Sequence, residues 1–137
     1  MNSISYADTK TSPLLTDSDI ADRVDNLVGH ALKRQLWVLF LDDQNLQREL
    51  VIPIDDLPVT PDQTVVDYLV TALGEVVKMH GGGSLIFVRE RPGGEILNRE
   101  DLDWAAALTS ACERGDVALR GLLLSHDGGV CWARAEL

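Results

Sequence analysis

Apolar and polar positions alternate between two periods along this chain, and the switches between them mark the elements. After a polar, aperiodic start, Ile20, Val24, Leu27, Val28 and Ala31 keep helical spacing, with Asp17 or Ser18 as the expected cap. Leu36 to Leu41 is a continuous apolar run of strand length, as expected of a strand covered on both faces. Asp42-Asp43-Gln44-Asn45 is turn chemistry, and Leu46 to Ile54 returns as a second strand, with Pro53 making its far end irregular or an edge. Thr60-Pro61-Asp62-Gln63 reads as a capping box. The helix it opens shows Val65, Leu69, Leu73, Val76 and Val77 on its expected buried face and stops at Gly81-Gly82-Gly83.

Leu85-Ile86-Phe87-Val88 is apolar at every position, which places it centrally in a sheet, and it runs into Arg89-Glu90-Arg91. Pro92-Gly93-Gly94 stops this strand. Asn98, with Glu100 and Asp101 behind it, begins an acid-rich helix whose buried face is Leu102, Ala105, Leu108, Thr109 and Cys112. Gly115 ends it. Val117 to Ser125 and Val130 to Ala135 then form strands around a turn at Asp127-Gly128-Gly129. The order is α-ββ-α-β-α-ββ, an α/β class with a mixed β-sheet and packed helices. Strands 36–41, 85–88 and 117–124 are expected to share one sheet, with the helices near 65–80 and 101–113 packed on it.

At 137 residues the chain fits one domain at 17–137, preceded by a mobile tail at 1–16, and can bury roughly two thirds of its unfolded surface. Twenty-two acids against 12 bases give a formal charge of -10, which opposes binding to nucleic acid or to an anionic membrane. No apolar run reaches the roughly 20 residues of a membrane span, and the first residues lack the basic flank and apolar core of a signal peptide. A cytoplasmic location is the expectation. Cys112 and Cys131 show no CxxC spacing and read as buried free thiols. His30, His80 and His126 form no ligand-spaced pair with each other or with the cysteines. Ser125, His126 and Asp127, adjacent in sequence, point in different directions and make no hydrolase triad.

Over Gln35 to Ala133, the element order and several local strings resemble the JAB/MPN metalloprotease-like fold, most closely its RadC-like branch. That branch has a strand with Glu ahead of an apolar run and an LD turn, matched by Gln35-Leu36-Trp37-Val38-Leu39-Phe40-Leu41-Asp42. Its H-N-H-P-S-G motif falls on Arg89-Glu90-Arg91-Pro92-Gly93-Gly94. Its Ser-x-x-Asp falls on Asn98-Arg99-Glu100-Asp101, and its late D-H on Ser125-His126. The resemblance implies that Gln35 stands for the general base, Arg89 and Arg91 for both histidine ligands of zinc, and Asn98 for the serine. Asp101 alone is kept, ten positions after Arg91.

A guanidinium has no lone pair to give a metal, so this degenerate site, Gln35, Arg89, Arg91, Asn98, Asp101 and His126, is expected to be non-catalytic, with no metal and no cofactor. Strand geometry puts Arg89 and Arg91 on one face, where they are expected to pair with Asp101 and with further acid from Glu95, Glu100 or Asp103. The expected function is an interaction or regulatory module for an unidentified protein partner or a second copy of the chain (a homodimer). The alternatives are a binder of a small anionic ligand through Arg89 and Arg91, or a hydrolase with an unrecognised constellation around Arg89, Arg91, Asp101 and His126.

Overall fold

A computed structural model describes residues 12–133. Helix α1 (Asp17–Leu27) leads to strands β1 (Gln35–Leu41) and β2 (Gln47–Asp55). Helix α2 (Gln63–Met79), strand β3 (Ser84–Glu90), helix α3 (Arg99–Arg114) and strands β4 (Leu119–His126) and β5 (Gly129–Trp132) follow. The five strands form one mixed sheet in the order β2-β1-β3-β4-β5. The β3–β4 pair is parallel and the other three are antiparallel. The class, the element order, the shared sheet and the central place of Leu85–Val88 are those expected from the sequence.

The sheet carries two apolar layers. Helices α2 and α3 cover one face, where Val38, Phe40, Phe87 and Leu124 meet Val70, Leu73 and Leu108. On the other face, Ile20 and Val24 of the short α1 pack on Leu39, Ile86, Val88 and Leu123. The core strands are therefore apolar at successive positions, because both faces are dry.

Several boundaries move, each for a local reason. Thr16, not Asp17 or Ser18, caps α1, with its hydroxyl accepting from Asp19 N while Asp19 reaches back to Thr16 N. Leu14 is buried and donates its N–H to Asn45 O, so the segment expected as a tail is tied to the fold at Leu14; residues 1–11 lie outside the described residues. Helix α2 is capped by Asp62, which accepts from Thr64 N and Val65 N, in place of the expected Thr60 box. Strand β5 spans Gly129–Trp132, and the expected continuation beyond Ala133 lies outside the described residues.

The buried face of α2 is Val66, Val70, Leu73, Gly74 and Val77. Leu73 and Val77 are as expected, but Val65 is 61% exposed. The helix is apolar over so much of its circumference that spacing alone selects two overlapping faces.

Candidate functional site

The end of β3 delivers three consecutive ionic side chains to the two faces of the sheet. Period two sends Arg89 and Arg91 toward α3 and Glu90 toward α1. All three are buried, at 6%, 5% and 3% exposure.

On the α3 side the arginines converge on Asp101, itself 1% exposed. Arg89 Nε donates to Asp101 Oδ1 at 2.9 Å, and Arg91 donates to both oxygens, through Nη2 to Oδ2 at 2.7 Å and through Nε to Oδ1 at 3.1 Å. Asp101 is also the third residue of a capping box. It accepts from Asn98 N at 2.9 Å while Asn98 Oδ1 accepts from Asp101 N at 2.8 Å. One carboxylate thus fixes the helix start and both guanidiniums. The rest of Arg91 is spent on the loop it crosses, where Gly94 O accepts from Nη1 at 2.6 Å and Ile96 O from Nη2 at 3.2 Å. Glu100 accepts from Arg89 and from the exposed Arg34. Of the other acids proposed for this network, Asp103 pairs instead with Arg99, and Glu95 offers its carbonyl oxygen to Cys131 Sγ.

Burial pushes the Asp101 carboxyl up, but the donors of Arg91, Asn98 and Arg89 outweigh it and hold it below the ordinary carboxylate range. The same contact with Asp101 raises Arg91. The site is a closed, mutually satisfied ion cluster.

Gln35 does not join it. Gln35 pairs across the sheet with Glu90, and Leu36 with Arg89, so Gln35 has the parity of the α1 face. Its Nε2 donates to Glu90 Oε1 at 2.7 Å. The place assigned to a general base beside the arginines is thus turned to the opposite side. Glu90 also accepts from Trp37 Nε1 at 2.8 Å and from the backbone N–H groups of Leu32 and Lys33 at 2.7 and 3.0 Å. Burial raises this carboxyl, and those donors more than offset it, so the net shift is downward. Ser125 Oγ donates to Gly29 O at 2.5 Å and Ala31 N to His126 O, tying the same α1–β1 connector to β4. Glu90 went unassigned in the sequence. The signal was present in the alternation Arg89-Glu90-Arg91, which puts one anion alone on the second face.

His126 is buried at the end of β4, and its Nδ1 accepts from Gly128 N at 3.1 Å within the β4–β5 turn. That ring nitrogen is committed to the turn. His30 and His80 are exposed. Cys112 and Cys131 are free thiols, with burial pushing Cys112 up to about 11. Among the described residues, no group of three or more His, Cys, Asp or Glu side chains is placed to hold a metal ion. A small cleft of about 220 Å³ lies at this end of the sheet, lined by Arg34, Gln35, Asp56, Leu57 and Arg89. Arg34 and Arg89 already share Glu100, and Asp56 adds a further negative charge to the wall.

Of the nine large apolar side chains exposed among the described residues, four lie on α2 and its approach, Val59 at 57%, Val65 at 61%, Tyr68 at 76% and Met79 at 80%, and the other five, Leu15, Leu27, Leu32, Leu50 and Ile96, are scattered over other elements. No helix among the described residues is long and apolar enough to cross a membrane. Comparison with protein-family models and with curated protein sequences finds no match for this chain.

Proposed function

We propose that this chain is a non-catalytic member of the JAB/MPN-like fold, of RadC-like type, that acts in the cytoplasm by binding another protein. The observation that carries the binding half is the exposure of Val65, Tyr68 and Met79 on α2, since exposed apolar side chains grouped on one element mark interaction sites. The non-catalytic half rests on the ion cluster. Where the resembled enzymes place two histidines and an aspartate around zinc, two guanidiniums fill the space and spend their donors on Asp101 and on loop carbonyls. Gln35 has no proton-accepting carboxylate, and its amide is engaged on the other face.

The small-anion reading has the cleft beside Arg34 and Arg89 in its favour, but Glu100, Asp101 and Asp56 already balance those cations. A hydrolase around Asp101 and His126 would need a free base. Asp101 is saturated with donors and His126 Nδ1 is engaged.

The test is to incubate the purified protein, with and without added zinc, with peptide and isopeptide-linked substrates. The expected result is no turnover above the protein-free blank. Cleavage that disappears in Asp101→Ala would overturn the non-catalytic reading. In parallel, Tyr68→Glu is expected to abolish partner binding while leaving the fold intact. Unchanged binding would remove the α2 surface from the account.

A further inference from the structure

We infer that the partner of the α2 surface is a second copy of this chain, joined in an antiparallel helix pair whose two-fold axis passes at Ala72. This rests on the interaction reading above and names the occupant.

Helix α2 presents three distinct sides. One faces α3 and its connector: Gln63 Nε2 donates to Ala107 O, Arg114 to Asp67, and Gly74 lies against Val117. The second is the core side, Val66, Val70, Leu73 and Val77. At 100° per residue, the side away from α3 carries Val65, Tyr68, Leu69, Ala72, Val76 and Met79. Leu69 and Val76 are only half buried, and the other four are exposed. A helix apolar on all but its most outward strip normally has neighbours on each apolar side. Among the described residues, no neighbour covers this side.

The order of those residues singles out the occupant. Val65 and Met79 lie seven positions either side of Ala72, and Tyr68 and Val76 lie four either side. A closed two-fold interface requires that residue i meets j while j meets i. Antiparallel apposition about Ala72 does this, setting Val65 on the partner's Met79 and Tyr68 on the partner's Val76, while Leu69 falls beside the stem of the partner's Glu75. Ala72 is the smallest residue of the stripe, and at the crossing point it lets the two backbones approach closely. It is also within one position of the midpoint of Gln63–Met79, so the helices overlap over nearly their whole length, about 26 Å.

The charges agree with this occupant. In a chain with a net charge of -10, self-association needs a surface free of acid, and the stripe has none. Its nearest acid, Glu75, is engaged by Lys78 on the same helix, and the two copies of Glu75 stand six positions apart, about 9 Å along the axis. The pairing also brings Val65 of one copy over Met79 of the other. A cleft of about 460 Å³ opens at that end of α2, with Phe40 and Leu50 in its wall beside the charged Asp42, Arg48 and Glu49, so the acid-free surface ends with the helix.

The experiment is sedimentation velocity across a micromolar concentration series on the full chain, with Ala72→Glu, Ala72→Lys and their equimolar mixture. Because residue 72 meets its own copy on the axis, each variant alone opposes two like charges, whereas the mixture opposes unlike ones. The wild type is expected to approach twice its 15.0 kDa mass. Each variant alone should weaken dimerisation at least tenfold, and the mixture should restore it. Circular dichroism should stay native-like, since the position is exposed and both residues suit a helix. A wild type that stays monomeric overturns the second copy as occupant. That failure is separate from failure of the interaction reading, which is decided by the Tyr68→Glu binding test. A dimer that survives Ala72→Glu, or a mixture that does not re-form it, overturns the axis at Ala72.

Discussion

Replacing Asp101 with alanine removes the one carboxylate on which the α3 side of the site closes. Two guanidiniums at 5–6% exposure lose their charged partner, although Arg89 keeps Glu100 and Arg91 keeps the carbonyls of Gly94 and Ile96. Breaking a buried pair on one side costs roughly 3–5 kcal/mol, and losing the capping box adds about 1. The partners that remain argue for the lower end, about 4 kcal/mol in all. For 137 residues the unfolding entropy makes each kcal/mol worth about 3–4 °C, so Tm should fall by about 12–16 °C.

The assay is thermal and urea unfolding of Asp101→Ala, Arg91→Met and the double variant, methionine keeping the buried stem of the side chain. The double variant should cost less than the sum of the single ones by about 2 kcal/mol. The exposed pair Arg99–Asp103 is the internal control and should show a coupling under about 0.5 kcal/mol. Additivity of the Asp101 and Arg91 changes to within about 0.5 kcal/mol would mean that the cluster does not hold strand to helix.

Other outcomes follow from the same geometry. Asp101 and Glu90 are both held below the ordinary carboxylate range, so their stabilisation is complete above that range and is lost as pH falls through their lowered values. Wild-type stability should therefore decline below about pH 5, and Glu90→Gln should flatten that decline in urea titrations run from pH 7 to pH 3. It should also lower the stability at pH 7, because all four partners of Glu90 are donors and an amide nitrogen cannot accept. Gly83→Ala should cost at least about 3 kcal/mol in urea unfolding, because φ is +120° and a Cβ would stand 1.9 Å from Leu41 O.

What the sequence revealed and what it hid divide along local and long-range information. The central strand was readable because Leu85–Val88 is apolar on both parities. The pairing of Arg89 and Arg91 with Asp101 followed from strand period two and a helix start at Asn98 that puts Asp101 in the first turn. The position of Gln35 was not readable. Its side depends on the register of β1 against β3, two strands nearly fifty residues apart, and a register in which Gln35 meets Glu90 sends it away from the arginines. The exposed stripe of α2 was hidden for a related reason: the apolar spacing fits two faces, and only the placement of α3 decides which is buried. The Asp62 cap lies within the predicted Thr60–Gln63 start. Its carboxylate reaches Thr64 N and Val65 N directly, so the helix begins at Gln63, two residues later than a Thr60 cap would set it.

The central claim, that buried arginines and an aspartate stand in place of a metal centre, is tested most directly by unfolding the protein after exhaustive chelation and again after zinc is restored. Metal content is measured on the same samples. The account predicts one Tm in both states and no stoichiometric zinc. About one zinc per chain, with a Tm that falls on chelation and recovers on addition of zinc, would contradict it.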